Sequence, residues 1–225
     1  MLAGIIFDFD GVIADSHPVH LQAWRLFLRS VGKDMHDEDL AFVLEGAKRE
    51  EILQHFLGEL TPEQTRLYGA EKEKLFQAHA SKMKLICGVA EFVAELKTEG
   101  IPVAVASSGS RQRIERALEN FDLTRHFCAV VTGDDVSKGK PDPALFLLAA
   151  QRMSIRPENI LVCEDAVAGV EAAKAAGMKC LAIATKGREL KLRDAGADLL
   201  AEDFTAVKLA DIKKLFARAR ANSAD

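Results

Sequence analysis

Ile5-Ile6-Phe7-Asp8-Phe9-Asp10-Gly11-Val12 decides how the rest of the chain is read. An apolar run that begins almost at the first residue ends in two aspartates two positions apart, followed at once by a glycine. Uninterrupted apolar runs suit a strand buried on both faces of a parallel sheet. Carboxylates cost too much in such a place unless they are paired or bind a cation. Asp8 and Asp10 are therefore expected at or just past the strand's carboxyl end, the edge on which open α/β sheets bind ligands.

Beyond Gly11 the pattern becomes helical. Trp24, Phe27, Leu28 and Val31 recur at helical spacing between Pro18 and Val31, and Ile52, Leu53, Phe56 and Leu57 form a second stripe that ends at Gly58. Thr61-Pro62-Glu63-Gln64 is a capping-box start for a helix running through Leu67 to Phe76. No strand is expected between Val12 and about Leu85. This all-helical stretch directly after the first strand reads as an insertion, a helical cap over 15–84 on a core made of 1–14 and 85–225.

From Gly88 onward strands and helices alternate. Strands are expected at Ile101 to Ala106, Cys128 to Thr132, Ile160 to Cys163, Lys179 to Ala184 and Asp198 to Leu200. Helices are expected at Val89 to Leu96, Arg111 to Phe121, Asp142 to Met153, Ala166 to Ala176, Glu189 to Ala195 and Ala206 to Ala219, the last leading into a polar tail. The alternation predicts an α/β fold, a Rossmann-like doubly wound parallel sheet with the helical cap inserted.

The bulk numbers narrow the class. The 225 residues are 48% hydrophobic and 28% charged, as in a soluble globular protein. The net charge of −4 gives no electrostatic case for nucleic acid or an anionic membrane as partner. No apolar run approaches the ~18 residues of a membrane span. Acidic residues by position 8 and the lack of a basic leader argue against a signal peptide, so a cytoplasmic location is the default expectation. Cys87, Cys128, Cys163 and Cys180 form no CxxC pair. The last three lie in or beside expected buried strands and read as reduced core thiols. A monomer is the default expectation.

The residues just past each expected strand carry the chemistry. The first strand ends in Asp8 and Asp10, the second in Ser107, Ser108 and Gly109; the segment after the third carries Lys138 and Lys140, and the fourth ends in Glu164 and Asp165. A parallel sheet puts all of these on one edge. Converging carboxylates need a cation, and hard oxygen ligands suit Mg²⁺. A lysine and a Ser/Gly loop at a helix start suit a phosphate. Together they describe phosphoryl transfer, in which one aspartate attacks phosphorus and a carboxylate two residues on moves protons.

Asp8-Phe9-Asp10-Gly11-Val12, Ser107, Lys140-Pro141 and Glu164-Asp165, in that order, resemble the four motifs of the haloacid dehalogenase (HAD) superfamily across essentially the whole chain, and the insertion after the first strand resembles its C1 cap. The resemblance implies that Asp8 is the nucleophile, that Asp10 is the general acid/base with its backbone carbonyl on the metal, and that Ser107 and Lys140 hold the transferring phosphoryl group with help from Ser108. It implies Mg²⁺ held by Asp8, Asp10 and Asp165, with Glu164 in support. Asp15-Ser16, His20 and Trp24 are similar to the start of the cap in the β-phosphoglucomutase-like group. Gly46-Ala47-Lys48-Arg49-Glu50 resembles a cap loop of that group whose arginine, here Arg49, grips the substrate's non-transferring phosphate, and Lys72 falls near one of its cap lysines. The loop Ser107-Ser108-Gly109-Ser110-Arg111 departs from the mutase pattern.

The expected partner is a small phosphorylated metabolite such as a sugar phosphate, and the expected reaction is its hydrolysis. Isomerisation of a hexose phosphate through a bisphosphate is the second reading. An aspartate-phosphorylated signalling module is a distant third, disfavoured by the helical insertion and by the chain's length, and the complete motif set argues against a catalytically silent binding protein.

Overall fold

The structure is a computed structural model that describes residues 1–36, 38–184 and 187–221. The strands and α-helices come in the order β1 (Gly4–Phe7), β2 (Ala14–Asp15), α1 (His17–Ser30), α2 (Arg49–Leu57), α3 (Pro62–Gln77), β3 (Lys84–Leu85), α4 (Val89–Thr98), β4 (Val103–Ser107) and α5 (Arg111–Asn120). They continue with β5 (Ala129–Thr132), α6 (Ala144–Met153), β6 (Ile160–Glu164), α7 (Val167–Ala175), β7 (Lys179–Ile183), α8 (Glu189–Asp194), β8 (Leu199–Ala201) and α9 (Leu209–Ala221). The polar tail beyond 221 lies outside the described residues.

Among the described residues β5, β4, β1, β6, β7 and β8 lie side by side in that order and are all parallel. This is the doubly wound α/β sheet that the sequence predicts, with β1 near its centre. Alternation along each strand divides the interior. Ile5, Phe7, Val103, Val105, Leu161 and Cys163 pack on one face with Phe92 and Val93 of α4 and Ile114 of α5. Ile6, Ala104, Ala106, Ile160 and Val162 pack on the other with Phe146 of α6 and Val170 of α7. Both faces of β1 are thus buried, which is why its sequence reads as continuous rather than alternating.

The helical segment after β2 has a core of its own: Trp24, Phe27, Leu28, Leu40, Val43, Ile52 and Leu53. It forms the cap. The capping box at Thr61 is present, its side chain accepting from the Gln64 backbone N–H at 3.2 Å.

Two expectations need correction. The stretch after Val12 does contain a strand: β2 pairs antiparallel with β3, Ala14 opposite Leu85 and Asp15 opposite Lys84. Two-residue strands carry no alternation to read. Their pairing ties together the two chain crossings between core and cap as a narrow neck. Cys128 is exposed, unlike the buried Cys163 and Cys180. It precedes β5, which is an edge strand and so has a neighbour on only one side.

Candidate active site

The carboxyl edge of the sheet gathers the side chains singled out by sequence. Asp8 directly follows β1, and its N–H donates to the Cys163 carbonyl at 2.9 Å, which extends the strand by one residue. Ser107 ends β4, Glu164 ends β6, and Asp165 follows at the start of the turn into α7. Lys140 arrives from the connection between β5 and α6, just before a cis Lys140–Pro141 bond. A cavity of about 330 Å³ opens between this edge and the cap, and Asp8, Asp10, Lys140, Glu164 and Asp165 line it. That volume is within the range of small-molecule sites.

Lys140 is the electrostatic centre. Its ammonium donates to Asp8 Oδ1 at 2.6 Å and also to Glu164 Oε1. All three side chains are buried. Burial works to lower the Lys140 pKa, but the Asp8 and Glu164 charges outweigh it and keep the ammonium protonated. The second Glu164 oxygen accepts from the N–H groups of Asp165 at 2.7 Å and Ala166 at 2.9 Å. Both Glu164 oxygens are therefore committed, one to Lys140 and the other to the backbone that opens α7. For Asp8, burial is the largest influence and pushes its carboxyl well above the usual carboxylate range, with the Glu164 and Asp10 charges adding to the effect against the pull of Lys140.

Asp10 sits among donors. Arg113 Nη1 and Nη2 donate to its Oδ1 and Oδ2, both at 2.7 Å. Ser16 Oγ donates to Oδ1 at 2.6 Å, and His20 Nε2 lies 3.2 Å from the same oxygen. Burial works against its charge, but Arg113 and His20 outweigh it and hold the carboxyl well below its usual range. His20 Nδ1 lies 3.1 Å from the Lys72 ammonium. Burial, with the Lys72 charge, pulls His20 down to about 3, so the ring is neutral, accepts from Lys72 at Nδ1 and donates to Asp10 from Nε2. Burial, followed by the Arg113 charge, pulls Lys72 itself down to about 7.

The divalent cation that the sequence implies needs oxygen donors facing one space. Among the described residues no three His, Cys, Asp or Glu side chains form a ready-made cage. Mg²⁺ does not need one, because it is held through one or two carboxylates and keeps several waters. Asp8, Asp10, Glu164 and Asp165 line a single cavity, and the Glu164 and Asp10 charges add to burial in raising Asp8. Such a donor set fits Mg²⁺. Asp165 is further held by His17 Nε2 at 3.1 Å. Gly11 has φ +74°, and a Cβ there would overlap the Asp165 carboxylate and come within 2.7 Å of the His17 ring, so glycine lets the turn after Asp10 close on Asp165.

The remaining sequence candidates divide. His20, Arg49, Lys72 and Ser108 all line the cavity. Ser107 stands just behind the wall, fully buried, its Oγ accepting from the Gly109 N–H at 3.1 Å. Arg49 pairs with Glu50 at 3.0 Å, and its Nε is buried without a hydrogen-bond partner. Lys138 is exposed, 3.9 Å from Asp142, and does not line the cavity. Among the contacts that fasten cap to core, two reach main-chain carbonyls: Ser108 Oγ donates to that of Gly46 and Lys48 Nζ to that of Val136, each at 2.9 Å.

Sequence reading missed Arg113 and His17. Arg113 carried a usable signal. It precedes Ile114 and shares the buried face of α5 with Ala117 and Leu118, a position that a solvated arginine avoids. His17 carried none beyond its closeness to Asp15-Ser16.

The carboxyl edge of the doubly wound sheet thus sets a lysine between two carboxylates, beside a third and a fourth, under a helical cap. The sequence profile of the haloacid dehalogenase-like hydrolases matches residues 5–183, and the chain belongs to that family. A phosphorylated carbohydrates phosphatase from Thermotoga maritima is 32% identical over 190 residues, covering 79% of this chain and 83% of that protein. The β-phosphoglucomutase of Bacillus subtilis is 33% identical over 187 residues, covering 79% and 81%. The crystal structure of a Clostridium difficile β-phosphoglucomutase superposes with a TM-score of 0.87, covering 98% of this chain and all of that one; at 24% identity the likeness carries the fold alone. The chloroplastic 5-amino-6-(5-phospho-D-ribitylamino)uracil phosphatase of Arabidopsis thaliana is 32% identical over 94% of this chain, which spans only 57% of that protein's length.

Proposed function

We propose that the protein is a Mg²⁺-dependent phosphatase of small phosphomonoesters, sugar phosphates foremost, that works through a phosphorylated Asp8. The observation that carries this reading is the buried Asp8–Lys140 pair at the sheet's edge, facing the same cavity as Asp10. Asp8 attacks phosphorus in line with the leaving oxygen, and Lys140, held in place by Glu164, offsets charge on the phosphoryl oxygens. Asp10, ionised while Arg113 holds it, takes up a proton once bound substrate has raised its pKa, gives that proton to the departing oxygen and takes one back from the water that later cleaves the acyl phosphate. The cap excludes bulk water from Asp8. A bound Mg²⁺, held by Asp8, Asp165 and the Asp10 carbonyl, supplies charge neutralisation at the transferring group. Relatives of known activity on phosphorylated carbohydrates support the substrate class.

A phosphate-release screen over phosphorylated sugars and acids, with Mg²⁺ and again with EDTA, tests this. Release that EDTA abolishes is expected. A stable phospho-Asp8 with no release from any ester would favour the signalling reading instead.

The mutase reading has one observation in its favour: Arg49 and Lys72 line the cavity from the cap, beside Glu50 and Glu73, and could meet a second phosphate there, in a chain similar to a β-phosphoglucomutase. Hexose 1-phosphate with a catalytic amount of the bisphosphate separates the two. Hexose 6-phosphate formed without stoichiometric free phosphate means mutase.

The charge of Lys72 predicts a pH effect. Its ammonium persists below about 7 and is lost above. A phosphomonoester is already dianionic above its second pKa of ~6. KM is therefore expected to rise as pH increases through about 7 and to level off once Lys72 is neutral, and Lys72→Gln is expected to flatten that profile. An unchanged profile in the variant would remove Lys72 from substrate binding.

A further inference from the structure

Asp10 is engaged at both oxygens by one guanidinium. Arg113 Nη1 meets Oδ1 and Nη2 meets Oδ2, both at 2.7 Å. Bidentate guanidinium–carboxylate pairs are among the strongest and most geometrically defined charge-assisted contacts. Ser16 and His20 occupy Oδ1 further. Oδ2 keeps a second lone pair, but the fork fixes the plane of the carboxylate, so Asp10 turns an oxygen toward a leaving group only when Arg113 loosens its hold.

Arg113 occupies a shaped seat. Its side chain is 5% exposed and its guanidinium lies 5.1 Å from the centre of the Phe76 ring in the cap. Gly109 faces it so closely that a Cβ there would overlap Nη2. Arg113 lines the same cavity as Arg49 and Lys72. Lys72 hydrogen-bonds a neutral imidazole rather than a carboxylate, and Arg49 keeps a buried Nε without a partner. Glu50 pairs with one end of Arg49 and Glu73 also lines the cavity, yet the Arg49 Nε and the Lys72 ammonium have no carboxylate hydrogen-bonded to them among the described residues.

We infer that Arg113 is a specificity-determining residue: it clamps Asp10 until a substrate whose leaving group carries its own anion, a carboxylate or a second phosphate, draws the guanidinium off one Asp10 oxygen. The inference rests on the phosphatase reading above. A neutral polyol offers a guanidinium only uncharged acceptors, which compete poorly with a carboxylate. An anion replaces one ion pair with another, so the buried guanidinium is never left unpaired. Recognition of the leaving group and release of the acid–base group become a single event.

Two matched ester pairs test it. Sorbitol 6-phosphate and 6-phosphogluconate differ by a carboxylate, and fructose 1-phosphate and fructose 1,6-bisphosphate by a second phosphate. The readout is the ratio of kcat/KM, charged over uncharged, within each pair. Wild type is expected to favour the charged member by about tenfold or more in at least one pair, which identifies the anion. Arg113→Gln is expected to bring that ratio to about one. A ratio near one in both pairs for wild type overturns the inference. So does a ratio preserved in Arg113→Gln, because a purely structural loss lowers both members of a pair together. Where Arg113→Gln fails to melt cooperatively, the same ratio is read in Arg113→Lys, which keeps the charge but lacks the planar fork; a wild-type ratio there overturns the inference, and a reduced one supports it. Absence of phosphate release from all four esters by wild type overturns the phosphatase reading and this inference with it, whereas release without discrimination overturns the inference alone.

Discussion

Asp8→Asn is expected to lower kcat for phosphate release by at least ~10³-fold while the protein stays as stable as before or becomes more so. The amide keeps the carboxylate's shape but cannot attack phosphorus. It also removes a charge that burial and the neighbouring Glu164 and Asp10 disfavour. The sign of the stability effect comes from that direction. A carboxyl whose folded pKa is raised binds its proton more tightly in the folded state, so wild type loses stability as pH rises from the ordinary carboxylate range through the raised value. The variant has no such loss, and Lys140 keeps Glu164 as its partner. Phosphate release and melting temperature across pH check both halves. Phosphatase activity retained in a folded Asp8→Asn protein would sink the mechanism.

Lys140→Met is expected to be the more damaging change, because it strikes activity and stability together. Without the ammonium, Asp8 and Glu164 share a buried site with no cation between them. Removing one partner of a buried ion pair costs about 3–5 kcal/mol. Loss of the charge that faces the phosphoryl group is expected to lower kcat/KM by ~10²-fold or more. Urea unfolding and steady-state kinetics measure the two effects. Adding Glu164→Gln to Lys140→Met is expected to restore part of the stability and none of the activity, since it relieves the carboxylate repulsion without returning a cation. A Lys140→Met protein as stable as wild type would show that Lys140 does not hold these carboxylates in place.

These effects centre on residues that the sequence makes visible, and the reason is topological. A parallel sheet buries its strands on both faces, so β1, β4 and β6 announce themselves as apolar runs, and the residues after them fall on one edge. Asp8, Ser107, Glu164 and Asp165 needed no more than that. Arg113 did not announce itself, because an arginine on a helix normally extends to water, and only the burial of its neighbours Ile114, Ala117 and Leu118 shows that this one turns inward. The partners of Glu164 were hidden for a related reason. Sequence places a carboxylate at a strand end but does not show that its two oxygens are already taken by Lys140 and by the first N–H groups before α7. The neck formed by β2 and β3 was hidden because two residues are too few to display a period. The exposure of Cys128 depended on strand order, which places β5 at the sheet's edge and which local sequence does not encode.

The fastenings of cap to core that end on main-chain carbonyls have an evolutionary corollary. Ser108 and Lys48 each reach across the gap to a main-chain carbonyl, at Gly46 and Val136. Every residue type carries that acceptor. Neither fastening therefore requires a matched pair of side chains to change in concert. Drift at Val43, Leu44, Ala47 or Ile52, which line the cap side of the cavity, can reshape that wall while these two contacts keep their acceptors. A lineage built this way can acquire new metabolites by single substitutions, each tried against an unaltered reaction centre.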